Sequence, residues 1–236
     1  MVLVAFIAAL IAALMVIGAG PAYRMQMVEL RDAFTLLRWG AWTGLGAGLA
    51  ALVGSWIARP GTQNRGFVLA MAGVVIGGVT FGVPFAISQG AKTRPPIHDI
   101  TTDTDSPPQF VAVIPLRNNA PNAVGYEGEA IAKQQHAAFP DIQPLVLTVP
   151  PEEAFKRALG VARDLGWEIV AAAPNDGRIE ATDTTLWFGF KDDIVVRVTP
   201  AAAGSRIDVR SVSRLGRGDL GKNAKRVRAY LQRLRQ

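Results

Sequence analysis

Cysteine is missing from all 236 residues. That excludes disulfides, thiolate metal sites and a cysteine nucleophile, and it leaves the redox compartment open. Histidine is nearly missing too: His98 and His136 are the only two, 38 positions apart. No zinc spacing exists, so no metal and no cofactor are expected. No serine sits in a nucleophile elbow. The run Gly216–Gly221 opens a helix whose N–H groups suit a phosphate, but it lacks the Lys-Ser/Thr of a nucleotide loop. Asp219 at the cap competes for those donors, so a plain helix start is expected. Asp192-Asp193 reads as a hairpin turn, because calcium wants more oxygens than two neighbours offer. No catalytic residue is assigned. The nearest approach is His98-Asp99, where a carboxylate can orient an imidazole for base work. A hydrolase built on that pair is kept as a rival reading.

The next absence is of charge. Val2–Ala22, Trp39–Ala58 and Phe67–Ile87 contain no ionisable side chain. Each has about the 20 residues a helix needs to cross a bilayer. A cleaved signal peptide is rejected for the first, which has no basic start and is followed by two more apolar segments. Small residues recur four apart: Ala5, Ala9, Ala13; Gly40, Gly44, Gly48; Gly73, Gly77; and Gly78, Gly82. In lipid, close backbone approach over small residues supplies the packing, so a three-helix bundle is expected rather than a transport path. Trp39, Trp42 and Trp56 lie near the ends of the second segment, at headgroup level. Pro84 should kink the third helix. Arg59-Pro60-Gly61 ends the second segment. Tyr23–Arg38 connects the first two, either as an interfacial amphipathic helix or as extensions of its neighbours.

What is abundant is basic charge at the far end. The formal net charge is +6, yet from Ser205 onward ten Lys/Arg face only Asp208 and Asp219. Such a patch suits anionic surfaces. Beside a membrane anchor, lipid headgroups are the expected partner rather than nucleic acid.

Three regions follow: a transmembrane part over 1–87, a Pro/Asn/Asp-rich tether over 88–144, and a compact domain over 145–236. The tether is expected to pack on the domain, since Phe110, Val111, Val113, Ile114 and Phe139 need burial, with one short helix near Glu129–Ala138. In the domain, Leu145–Val149 reads as a strand. Pro150-Pro151 opens a helix to Leu165, with Glu152 and Glu153 in its first turn. Strands follow at Trp167–Ala173, Arg178–Thr184, Asp193–Thr199 and Arg206–Ser213, the last two joined by Pro200–Ser205. A basic helix from Asp219 to Arg235 closes the chain. The predicted fold is a three-helix membrane anchor plus an α+β domain, β-α-β-β-β-β-α, with an antiparallel sheet of helix-grip type.

Two groups are candidate ligand contacts. Trp187, Phe188 and Phe190 place three rings in four positions, and these cannot all face one side of a strand; core packing or contact with acyl chains would take them. Arg197, Arg210 and Arg214, with Arg217 beyond them, form either cross-strand ion pairs or an anion site.

The blocks IEATDTTLWFGFKDDIVVRV and SRIDVRSVSRLGRGDLGKNAKRVRAYLQRL, with RPPIHDITTDTDSPPQF and HAAFPDIQPL upstream, resemble the bacterial and plastid family called domain of unknown function 1499. The resemblance spans about residues 94–236. Many members carry a cysteine-containing block where this chain has Asp105-Ser106-Pro107-Pro108. The resemblance brings no activity and no catalytic residues. It implies an envelope location, hence a multi-pass inner-membrane protein with a periplasmic domain, whereas the count of positive charges beside the spans favours the cytoplasm. The function expected is a non-enzymatic binding or scaffold protein of the cell envelope that contacts anionic lipid or an envelope protein. A structural subunit of a membrane complex is the remaining alternative.

Overall fold

The computed structural model describes residues 1–57 and 64–236; Arg59-Pro60-Gly61 lies outside the described residues. The chain divides into two compact units. One is Met1–Thr93 with Leu186–Gly189; the other is Arg94–Thr185 with Phe190–Gln236.

The first unit contains three long helices, α1 (Val2–Arg24), α2 (Leu30–Ile57) and α3 (Asn64–Lys92). All three are long and apolar enough to cross a membrane, with mean hydropathies of 2.9, 1.2 and 2.1 over their best windows. Their packing is inside-out relative to a water-soluble protein. Ala5, Ala9, Ala12 and Ala19 of α1 and Gly40, Gly44, Ala47 and Ala51 of α2 are buried. Leu3, Ile7, Leu14, Ile17, Leu49 and Val79 are exposed. Small residues let the backbones touch, which is how helices associate where solvent offers no hydrophobic drive. A Cβ on Gly77 would strike the Gly44 carbonyl and come within 2.8 Å of Gly48 Cα. Gly73 and Gly77 thus serve the interface. Gly78 and Gly82 have open space beside them, so only one of the two α3 glycine pairs is used. On α1 the buried position is Ala12, one residue before the expected Ala13. The connector resolves as extensions of α1 and α2 around a short turn, not as a separate interfacial helix.

The second unit is built on an open six-stranded antiparallel sheet: β1 (Asp99–Thr101), β2 (Leu145–Leu147), β3 (Glu168–Ala173), β4 (Arg178–Thr184), β5 (Lys191–Ala201) and β6 (Gly204–Ser213). The order is β1-β6-β5-β4-β3, and β2 also pairs with β6. The predicted β-α-β-β-β-β-α order is present from β2 onward. β1 is an additional strand, drawn from the segment expected to be tether. A helix α4 (Glu129–Ala138) forms where expected, and α5 (Pro151–Asp164) and α6 (Lys222–Leu234) complete the unit.

Alternation along the strands separates two faces. Ile179, Ala181, Ile194, Val196, Val198, Ile207 and Val209 pack against Ala154, Phe155 and Ala158 of α5 and Ala224, Val227 and Leu231 of α6. Tyr230 stacks on Trp167 at 4.9 Å and donates its hydroxyl to the Ala158 carbonyl at 2.8 Å. The opposite face carries a small apolar patch of Phe110, Val113, Val195 and Val212 among polar side chains. Phe110 and Val113 are buried and Phe139 is partly so, while Val111 and Ile114 stay exposed.

β5 and β6 run farther than predicted. Pairing continues through Pro200 with Ser205 to Ala201 with Gly204, leaving Ala202-Ala203 as the turn. Pro200 is tolerated because β4 has already ended: its final pairing with β5 is Arg178 with Arg197. No neighbour there needs the N–H that proline lacks.

Candidate functional site

The polar face of the sheet is where the predicted arginines come together. β5 contributes Asp193 and Arg197, β6 contributes Asp208 and Arg210, β4 contributes Glu180 and Thr182, and β1 contributes Asp99. The backbone register explains the grouping, since Arg197 pairs with Asp208 and Thr101 with Arg210.

Arg210 is fully buried. Its Nε donates to Asp99 Oδ1 at 3.0 Å and its Nη2 to Oδ2 at 2.7 Å. The remaining donors reach the Val124 carbonyl at 2.7 Å and the Pro108 carbonyl at 3.3 Å. The guanidinium also lies 5.3 Å from the Phe110 ring centroid and 5.5 Å from that of Tyr126. One side chain therefore ties a strand, a facing carboxylate and two points of the covering segment together. Burial pushes the Asp99 carboxyl up, and the Arg210 bonds offset that only in part. Burial likewise lifts the Tyr126 hydroxyl to about 12.

Arg197 is also engaged. It donates to Asp103 Oδ2 at 2.8 Å, Asp208 Oδ2 at 3.0 Å and the Ser106 carbonyl at 2.9 Å. Arg206 shares both carboxylates. Arg214 bonds Asp193 at both oxygens, at 2.9 and 2.8 Å, and Arg117 approaches the same carboxylate. Burial alone would raise the Asp193 carboxyl. The bonds from Arg214, Thr182 and Arg117 outweigh it and hold the group below the usual carboxylate range.

Glu180 is the member of this face that sequence reading missed. It is fully buried, and its carboxylate accepts the backbone N–H groups of Val111, Ala112 and Val113 at 3.0–3.1 Å. These amides lead into the 3-10 turn Ile114–Arg117. Consecutive amides pointing one way form an anion cradle, and here a side chain of the same chain fills it. Arg178, two residues earlier on β4, also donates to Glu180 at 2.9 Å; that pair is visible in the sequence, whereas the three amides lie near residue 111 and leave no local signal.

Asp192 and Asp193 are not a turn. Both are buried within β5, the first bonded to Arg226 of α6 and the second to Arg214. Asp192 is held by one arginine and Asp193 by two, Arg214 and Arg117, which a local reading of two adjacent acids does not reveal. Asp219 accepts the N–H groups of Gly221 and Asn223, so it occupies the glycine-rich loop as expected. Arg217 is exposed in that loop.

His98 and Asp99 do not form a dyad. The Asp99 carboxylate is directed to Arg210, and His98 Nε2 lies 3.7 Å from Glu127. His136 is exposed and meets the Thr104 hydroxyl at 3.0 Å. Among the described residues no three His, Asp or Glu side chains converge as metal ligands.

The aromatic candidates divide. Phe190 is partly buried at the base of the β4–β5 connection, where its carbonyl accepts the Thr185 N–H and its own N–H donates to the Thr185 hydroxyl, both at 2.8 Å. Trp187 and Phe188 belong to the helical unit. Phe188 is buried, stacked on Phe34 at 5.4 Å, with Tyr23 at 6.1 Å. Trp187 Nε1 donates to the Ile17 carbonyl at 2.9 Å, and Arg24 donates to the Leu186 carbonyl at 2.8 Å.

The family model described as "Protein of unknown function (DUF1499)" matches residues 99–234. The chain belongs to the DUF1499 family. The match opens on Asp99 and closes on the last residue of α6, so the DUF1499 region holds the whole sheet and both ends of the Asp99–Arg210 pair. No curated protein and no solved structure proved similar to the chain.

Proposed function

We propose that this DUF1499 protein is a non-catalytic binding or scaffold protein of the bacterial cell envelope. α1–α3 would hold it in the inner membrane with the DUF1499 domain on the periplasmic side, and anionic lipid headgroups would be the ligand of its basic helix. The observation that carries this reading is how the cations are distributed. Arg197, Arg210 and Arg214 are engaged by Asp103, Asp208, Asp99 and Asp193. Arg217, Lys222, Lys225 and Arg233 are exposed, and no carboxylate is paired with them among the described residues. Unpaired surface cations that reach an anionic leaflet are attracted to it by about 1 kcal/mol each. The hydrolase alternative is disfavoured because Asp99 would have to leave Arg210 before it could orient His98.

The test uses the full chain in nanodiscs of zwitterionic lipid, with and without anionic lipid, and maps acetylation of Lys222 and Lys225 by mass spectrometry. Anionic lipid should protect both lysines, and high salt should remove the protection. Equal labelling in both lipids would exclude headgroups as the ligand.

A further inference from the structure

α1 contains Pro21. In an α-helix the carbonyl of residue 17 accepts the N–H of residue 21, and proline has none to give. The Ile17 carbonyl is thereby orphaned within an apolar helix, where an unmet polar group is costly. The Trp187 indole N–H donates to that carbonyl, at 2.9 Å. The residue before the proline makes room for the ring: a Cβ on Gly20 would lie 2.6 Å from Trp187 Cδ1. Gly20 and Pro21 thus form a seat, one removing the obstruction and the other freeing the acceptor.

The height of this seat can be read from the helix packing. A Cβ on Gly40 would meet Val16 Cγ2 at 2.9 Å and Met15 Cβ at 3.0 Å, so Trp39 stands at about the level of Ile17. Arg38 and Trp39 are exposed there, and Arg24 and Tyr23 lie just beyond on α1. Exposed tryptophan beside arginine at the end of an apolar run marks the headgroup boundary. At that boundary Leu186 is 89% exposed and Trp187 38%, while Phe188 is only 7% exposed.

We infer that Leu186–Phe188 is a lipid-contacting wedge: Trp187 completes the hydrogen bonding of α1 at the membrane interface, and Leu186 enters the acyl region beside it. The partner is the bilayer itself. The inference rests on α1–α3 spanning that bilayer, and the test separates the two. Full-length variants retaining only Trp187 or only Trp42, with the other tryptophans changed to Phe, are reconstituted in liposomes with brominated acyl chains. Trp42, farther along α2 and exposed, reports on the spans. Both variants should lose emission to bromine, and Trp187 should resist aqueous iodide. In the Trp187-only protein, Gly20→Val should shift the emission to the red and restore it in brominated lipid, with Trp42 unaffected by the same change. Quenching of Trp42 but not Trp187 would overturn the wedge alone. Quenching of neither would overturn the spans as well. A Trp187 signal unchanged by Gly20→Val would refute the seat.

Discussion

Replacing Arg210 with Met tests whether the polar face is held by its buried ion pair. The substitution keeps length and apolar bulk but removes every contact to Asp99 and those to Pro108 and Val124. Asp99, 2% exposed, would be left with an uncompensated charge. Breaking one side of such a pair costs about 3–5 kcal/mol. Against a domain stability on the order of 5–15 kcal/mol, that is a large fraction. With a urea slope of about 2 kcal/mol per molar, the midpoint should fall by roughly 2 M. The double variant Arg210→Met with Asp99→Asn removes the stranded charge, so it should recover part of the loss and cost less than the two single changes summed. The assay is urea unfolding of the full chain followed by Trp167 emission in a background without the other tryptophans, since Trp167 sits in the core against Tyr230. A midpoint shift under about 0.5 M for Arg210→Met, or strict additivity in the double variant, would refute the reasoning.

Glu180→Gln leaves three amides facing a neutral group with one oxygen; a loss of about 2–3 kcal/mol is expected in the same unfolding assay. Asp193 has a depressed carboxyl, so its contribution is fully present above the unfolded value and is lost as pH falls through the folded one. Stability should therefore drop below roughly pH 4, and more steeply in the parent than in Asp193→Asn, as measured by urea midpoints across pH. Gly77→Val should disrupt the contact with Gly44 and Gly48 and lower the resistance of the helical bundle to SDS, read by helical circular dichroism, whereas Gly78→Val, with open space beside it, should not.

The helical region was legible because three uncharged runs with small residues in register have few other uses. The strands of the domain were legible from alternation and turn residues. What escaped was long-range. Asp99 sits in a Pro-rich stretch, and its partner lies 111 positions away. Asp192-Asp193 looks like a turn until Arg226 of α6 reaches the first, and Arg214 just past β6 and the distant Arg117 reach the second. Glu180 reads as one alternating residue in a strand, since the amides that need it belong to a distant segment. Trp187 stood out as aromatic, but its acceptor arises from a proline in the first helix. Charge signs are local, whereas pairings depend on which strands become neighbours.

β6, the last strand of the sheet, is also the one on which β1 and β2 pair. Synthesis releases the N-terminal end first, so β1 emerges more than a hundred residues before the strand it must join. Contacts this distant along a chain assemble slowly. The sheet consequently stays incomplete until β6 has left the ribosome, while the greasy helices are already available for insertion. A chain that stalls before Gly204 would carry a complete anchor with an unfinished cargo, its early strand lacking a neighbour and open to pairing with another molecule.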